Sequence, residues 1–213
     1  MAGESSSITE RASERFTTLA WVLIPVAVGI NVVGGTVTNF LRIPVYLDVI
    51  GTILLALLAG PLVGAVGGIL TNLVLGVTRS PTIIPFAVVN AAIALVAGFF
   101  AMRGWFRIHE TRDYAKLAGV GVVVALTSIV ISLPIVVTLF GGLTGTAPDI
   151  VVGAFLAAGF DLVPAVLASQ LVIEPIDKIS SVVIAYFIAK SVPERYRPSF
   201  GQRALGRDRD RDR

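Results

Sequence analysis

The chain has 213 residues, 55% of them hydrophobic and only 15% charged, and its mean hydropathy of +0.86 excludes an ordinary soluble domain and points to an integral membrane protein. The net charge of +3 needs no nucleic-acid partner to account for it, because the basic residues sit beside the apolar runs. The absence of Cys excludes disulfides, thiolate metal sites and Cys nucleophiles.

In chain order, residues 1–16 are polar and hold no short apolar core followed by a small-residue cleavage site. They read as a polar cytoplasmic N-terminus, with the first apolar run acting as its own insertion signal. The runs that follow are continuous rather than alternating, and each is near the roughly 20 residues a helix needs to cross about 30 Å of hydrocarbon, so helices are expected and strands are not. A first helix is expected at about 17–39, a pair across 47–77 broken at Gly60-Pro61, a fourth at about 83–102, a fifth at about 115–140 and a last at about 174–192. The stretch 149–173 is apolar but interrupted by Gly159, Asp161 and Pro164. It reads as a broken or re-entrant segment, because Pro removes a backbone donor and a lipid-facing Asp costs roughly 3 kcal/mol. The expected fold class is therefore an all-α six-transmembrane-helix bundle with an extra broken segment before the last helix. Residues 17–193 form the transmembrane substrate-binding domain, and 194–213 form a disordered basic cytoplasmic tail ending in the charge-alternating GRDRDRDR.

An even number of spans places both termini on one side. Arg11 and Arg15, the loop residues Arg103, Arg107, Arg112 and Lys116, and Lys190 with the seven arginines from Arg195 onward make fourteen of the 17 basic residues, leaving Arg42, Arg79 and Lys178 on the other side. The positive-inside rule then makes this a multi-pass protein of the cell (plasma) membrane with both termini cytoplasmic and residues 42–48 in an external loop.

Gly60, Gly64 and Gly68 recur every fourth residue and give one smooth helix face suited to tight packing. A set of polar residues is biased to the outer half of the bundle: Tyr46, Asp48, Asn72, Arg79, Asn90, Gln170, Glu174, Asp177 and Lys178. Each has a structural alternative. Asp48 is placed to cap the second helix, Glu174 before Pro175 to cap the last, and Asp177 and Lys178 to pair with each other. Convergence from several helices favours a binding site. Asp161, an ionisable group at membrane depth, is either a further site residue or the cap of a half-helix. The residues taken as substrate-binding are thus Tyr46, Asp48, Asn72, Asn90, Asp161, Gln170, Asp177 and Lys178. His109, the single histidine, falls in a cytoplasmic loop. No catalytic constellation, phosphate-cradling loop, metal site or cofactor motif is present, so no enzyme activity and no cofactor are expected.

The runs PVYLDVIGTILLALLAGPLVGAVGGILTNLVLG, PTIIPFAVVNAAIALVAGF and EPIDKISSVVIAYFIAK resemble the substrate-binding S component of an energy-coupling factor (ECF) transporter over about residues 17–193. The resemblance implies a six-helix bundle that captures a vitamin-like or other small organic solute from outside. It also implies three partner subunits, a transmembrane coupling subunit and two cytoplasmic ATPases, which supply the ATP-driven step that this chain lacks. The family often carries an Ala-x-x-x-Ala pattern on the first helix to meet the coupling subunit. Here that helix offers only Pro25/Gly29, Ala27/Asn31 and Asn31/Gly35 at this spacing, so the docking face is less defined than the fold.

Two other readings stay open. A membrane sensor or partner-binding protein would share the helix arrangement. A stand-alone secondary transporter would show an internal repeat and discontinuous helices in both halves, whereas only one broken segment appears. A site of carboxylates, amides and basic groups suits a polar heterocycle such as a vitamin, nucleobase or nucleoside, and no spacing selects among them.

Overall fold

The computed structural model describes residues 18–206, in which every regular element is helical and no strand occurs. The N-terminal stretch 1–16 and the charge-alternating residues 207–213 lie outside the described residues.

Helices α1 (Thr18–Phe40), α2 (Ile50–Leu58) and α3 (Pro61–Thr78) are followed by a 3₁₀ turn, Pro81–Phe86, that leads directly into α4 (Ala87–Met102). Then come α5 (Tyr114–Phe140), a short α6 (Asp149–Ala157), α7 (Leu162–Ser191) and a terminal α8 (Ser199–Leu205). Four helical stretches are long and apolar enough to cross a membrane: Trp21–Phe40, Pro61–Thr78, Pro81–Met102 and Thr111–Phe140. The other two expected spans differ in kind. At nine residues, α2 is only about 14 Å long, whereas α7 with its 30 residues reaches about 45 Å but carries Glu174, Asp177 and Lys178.

The chain is inverted relative to a soluble protein. Trp21, Val33, Phe40, Leu126 and Val130 face outward, while Asn31, Asn72, Asn90, Glu174, Asp177 and Lys178 are buried. Such an apolar exterior matches hydrocarbon rather than water as the surrounding solvent.

At the centre stands α2, every residue of which is buried, in contact with α1, α3, α4, α7 and α8. The expected break falls at Gly60, whose φ of 99° is open to Gly but not to L-residues, and Pro61 opens α3 in the position where its missing N–H costs nothing. The glycine stripe does not serve a single neighbour. A Cβ on Gly64 would meet Ala56 of α2 at 2.9 Å, and one on Gly68 would meet Asn90 of α4 at 3.1 Å.

The segment 149–173 corrects the sequence expectation. The break falls at Gly159–Asp161 as expected, between α6, which ends at Ala157, and the last helix, but that helix begins at Leu162, not near 174. The stop is a Schellman motif. Gly159 N donates to Leu156 O at 3.0 Å, Phe160 N donates to Phe155 O at 3.1 Å, and the two Phe rings meet edge to face at 5.4 Å. Pro164 lies in the first turn of α7, where Pro is tolerated, and Pro175 is carried inside the helix because packing around it holds the helix together. The segment 194–205, expected within a disordered tail, instead forms a 3₁₀ turn and α8, whose Gly201 and Ala204 are buried against the body. A tail with few apolar residues still docks when they recur on one helical face.

Candidate functional site

At the start of α2, Val49 occupies the helix N-cap position and has no polar side chain to offer. The cap comes from another helix. Asn31 of α1, fully buried, accepts from Gly51 N at 2.6 Å and donates to Thr52 Oγ1 at 2.9 Å and Thr71 Oγ1 at 3.0 Å. One amide therefore ties α1, α2 and α3 together and satisfies a backbone donor that the helix start would otherwise leave unpaired. Asp48 precedes Val49 and is not the cap, and Glu174 lies inside α7, so neither expected capping role is present.

The loop into α2 is held under tension. Leu47 adopts φ 48°, a left-handed conformation that costs a residue with a Cβ about 1–2 kcal/mol. Asp177 of α7 compensates: its Oδ1 accepts from Tyr46 N at 3.0 Å and from Leu47 N at 2.8 Å. On the other side Thr38 Oγ1 of α1 donates to Tyr46 O at 2.9 Å. Tyr46 is thereby fixed by its own backbone at both ends, with its ring 5.4 Å from Lys178 Nζ.

Beneath this loop lies a cavity of about 120 Å³. Its polar lining converges from several elements. The loop supplies Tyr46 and Asp48, α3 and its C-cap supply Asn72 and Arg79, α4 supplies Asn90, α5 supplies Ser128 and Ser132, and α7 supplies Gln170, Glu174 and Lys178. The α7 residues are spaced by four, which stacks them on one helix face. Asn90 Nδ2 donates to Asn72 Oδ1, and Asn72 Nδ2 donates to Ile83 O at 3.0 Å, which fixes the paired amides against the 3₁₀ turn. Arg79, an exposed residue on the rim, donates from Nη1 to Gly35 O at 2.9 Å. Phe86 adds an aromatic wall and is itself stacked on Phe140 at 5.8 Å.

Lys178 Nζ lies 2.5 Å from Asp177 Oδ2 and 3.3 Å from Glu174 Oε2, a triad in which the cation is shared by two carboxylates. Three polar atoms in the lining are buried with no hydrogen-bond partner: Ser132 Oγ, Gln170 Oε1 and Glu174 Oε2. Leaving Ser132 and Gln170 unpaired costs about 1–3 kcal/mol each, which a bound solute can recover, while Glu174 Oε2 keeps its ion pair with Lys178.

Of the eight residues chosen from the sequence, six line this cavity: Tyr46, Asp48, Asn72, Asn90, Gln170 and Lys178. Asp177 stands behind the lining as the anchor of the loop, and Asp161 is an exposed residue at the start of α7, away from the cavity. Glu174 and Arg79, part of the wider polar set, also line it, as do Ser128, Ser132 and Phe86, which sequence reasoning passed over. The two serines had a signal available, being four residues apart in an otherwise apolar α5. Among the described residues no group of three or more His, Cys, Asp or Glu is placed to hold a metal ion.

Comparison of the chain with protein-family models, with curated proteins and with solved structures gives no match.

Proposed function

We propose that this chain is a membrane-embedded solute-capture protein, the substrate-specificity subunit of an ECF-type importer. Its cavity takes up a small polar organic solute from outside, and a transmembrane coupling subunit with two ATPases drives release to the cytoplasm. On this reading α7 crosses the membrane as a fifth span, with its charges turned inward, and α2 with its preceding loop forms the sixth. The observation that carries the proposal is the set of buried atoms without a hydrogen bond, Ser132 Oγ, Gln170 Oε1 and the Lys178-paired Glu174 Oε2, in a cavity of about 120 Å³ among apolar helices. A concave lining that is mostly apolar with a few fixed polar groups is typical of small-molecule sites. The resemblance in sequence supplies the importer context and the partners.

The test begins with native mass spectrometry of the purified chain, which should retain a small solute. Asp48→Asn and Asn90→Ala should each weaken binding of that solute by at least about tenfold, equal to 1.4 kcal/mol, with little change in melting temperature. The chain reconstituted alone in vesicles should neither hydrolyse ATP nor accumulate the solute under an ion gradient. Unchanged affinity in both variants would remove the cavity as the capture site, and gradient-driven uptake would make the chain a secondary transporter.

A further inference from the structure

The chemistry of the cavity wall constrains the solute further. Glu174 Oε2 is 3.3 Å from Lys178 Nζ yet makes no hydrogen bond, and Gln170 Oε1 has no donor. Both oxygens are acceptors, and both belong to side chains that are nearly buried, Glu174 at 3% and Gln170 at 7% exposure. Ser132 Oγ, equally unpartnered, is able to accept as well. The two acceptors stand four residues apart on one face of α7.

Formal charge points the same way. Counted as ionised, the carboxyl groups of the cavity and its immediate backing, Asp48, Glu174 and Asp177, outnumber the two cations Lys178 and Arg79 by one. The buried cation is already taken: Lys178 is engaged by both Asp177 and Glu174 and lies beside the Tyr46 ring, while Arg79 stands apart on the exposed rim, where Nη1 donates to Gly35 O. The aromatic faces of Tyr46 and Phe86 in the lining add a surface that attracts a flat cation.

We infer that the captured solute presents a planar, donor-rich cationic nitrogen group, such as an amidinium, a guanidinium or a protonated amino-substituted heterocycle, to Glu174 and Gln170. This rests on the capture reading and narrows it. An uncharged solute would leave the excess charge uncompensated in a low-dielectric site, and an anionic one would be repelled by Asp48 and Glu174.

Three probes of nearly equal shape separate the possibilities: benzamidine (cationic), benzamide (neutral) and benzoate (anionic), each titrated calorimetrically at pH 7 into the full chain in lipid nanodiscs. Benzamidine should bind at least about tenfold more tightly than benzamide, and benzoate more weakly than either. Glu174→Gln should abolish the preference for benzamidine. Should that variant fail to fold, the order of the three probes on the unaltered chain decides alone. Equal or tighter binding of benzamide or benzoate overturns the inference, and its weakening by Asn90→Ala would leave capture in this cavity standing. Binding of none of the three also overturns it. A solute retained in native mass spectra would then preserve the capture reading, and an empty spectrum would remove both.

Discussion

Asp177 and Leu47, 130 residues apart in the chain, are joined by a 2.8 Å hydrogen bond from the Leu47 amide to Asp177 Oδ1, the same oxygen that receives the amide of Tyr46. The other oxygen pairs with Lys178, so one carboxylate sets both the backbone of the loop over the cavity and the charge beneath it.

Separating those two tasks gives the first prediction. Asp177→Ala removes acceptor and charge together and should cost about 3–5 kcal/mol, the usual effect of breaking a buried ion pair. Asp177→Asn keeps an oxygen for the two amides and should lose clearly less. Thermal unfolding in detergent checks the order, and equal losses would show that the amide contacts contribute nothing.

A second prediction concerns Asn31. Replacing it by Ala strips α2 of its only cap and leaves Gly51 N buried without a partner, so Asn31→Ala should cost about 3 kcal/mol. Thr52→Val removes a single acceptor, and Asn31 keeps Thr71, so about 1 kcal/mol is expected. Melting temperatures of the two variants should fall in that ratio.

Helix crossings supply a third. A Cβ on Gly51 would stand 2.0 Å from Ala27 O, and one on Gly121 2.7 Å from the Ile179 Cα, so Gly51→Ala and Gly121→Ala should each destabilise by about 1–3 kcal/mol or more, Gly51→Ala the worse. Gly29 and Gly153 have nothing within 4 Å, and there Ala should be neutral or stabilise by about 0.5–1 kcal/mol. Denaturation of the four variants side by side reads out the contrast.

Orientation gives a fourth. The natural chain has no Cys, so single thiols report without background. Ile43→Cys and Ala115→Cys fall at exposed positions, and an impermeant thiol reagent applied to intact cells should label the first and spare the second. The opposite pattern would invert the topology and place the cavity mouth in the cytoplasm.

How far the sequence led can be traced residue by residue. Gly60-Pro61 announced its break because the backbone there admits few other residues, and the polar groups of the cavity were legible because each interrupts an apolar run near one end. The start of α7 was not legible. Pro175 reads locally as a helix boundary, whereas packing against α5 and α2 carries the helix through it. Asp177 pairs with Lys178 as the sequence suggested, but its second task was not legible, since a contact with backbone amides 130 residues away leaves no local pattern. Asn31 was seen only as a spacing on α1, because its three partners lie on helices whose crossing no linear pattern specifies.

Helix α2, with all nine residues buried, has no outward side. In a saturation scan, α1 and α5 should alternate between permissive and intolerant positions with the helical repeat, because each has a lipid-facing stripe on which most apolar residues serve equally well. Residues 50–58 should show no such rhythm: every position is hemmed in, and tolerance should follow side-chain volume alone. The most hydrophobic short stretch of the chain would then be the one where exchanging one aliphatic residue for another is least forgiven, so its composition is simple while its evolutionary freedom is narrow.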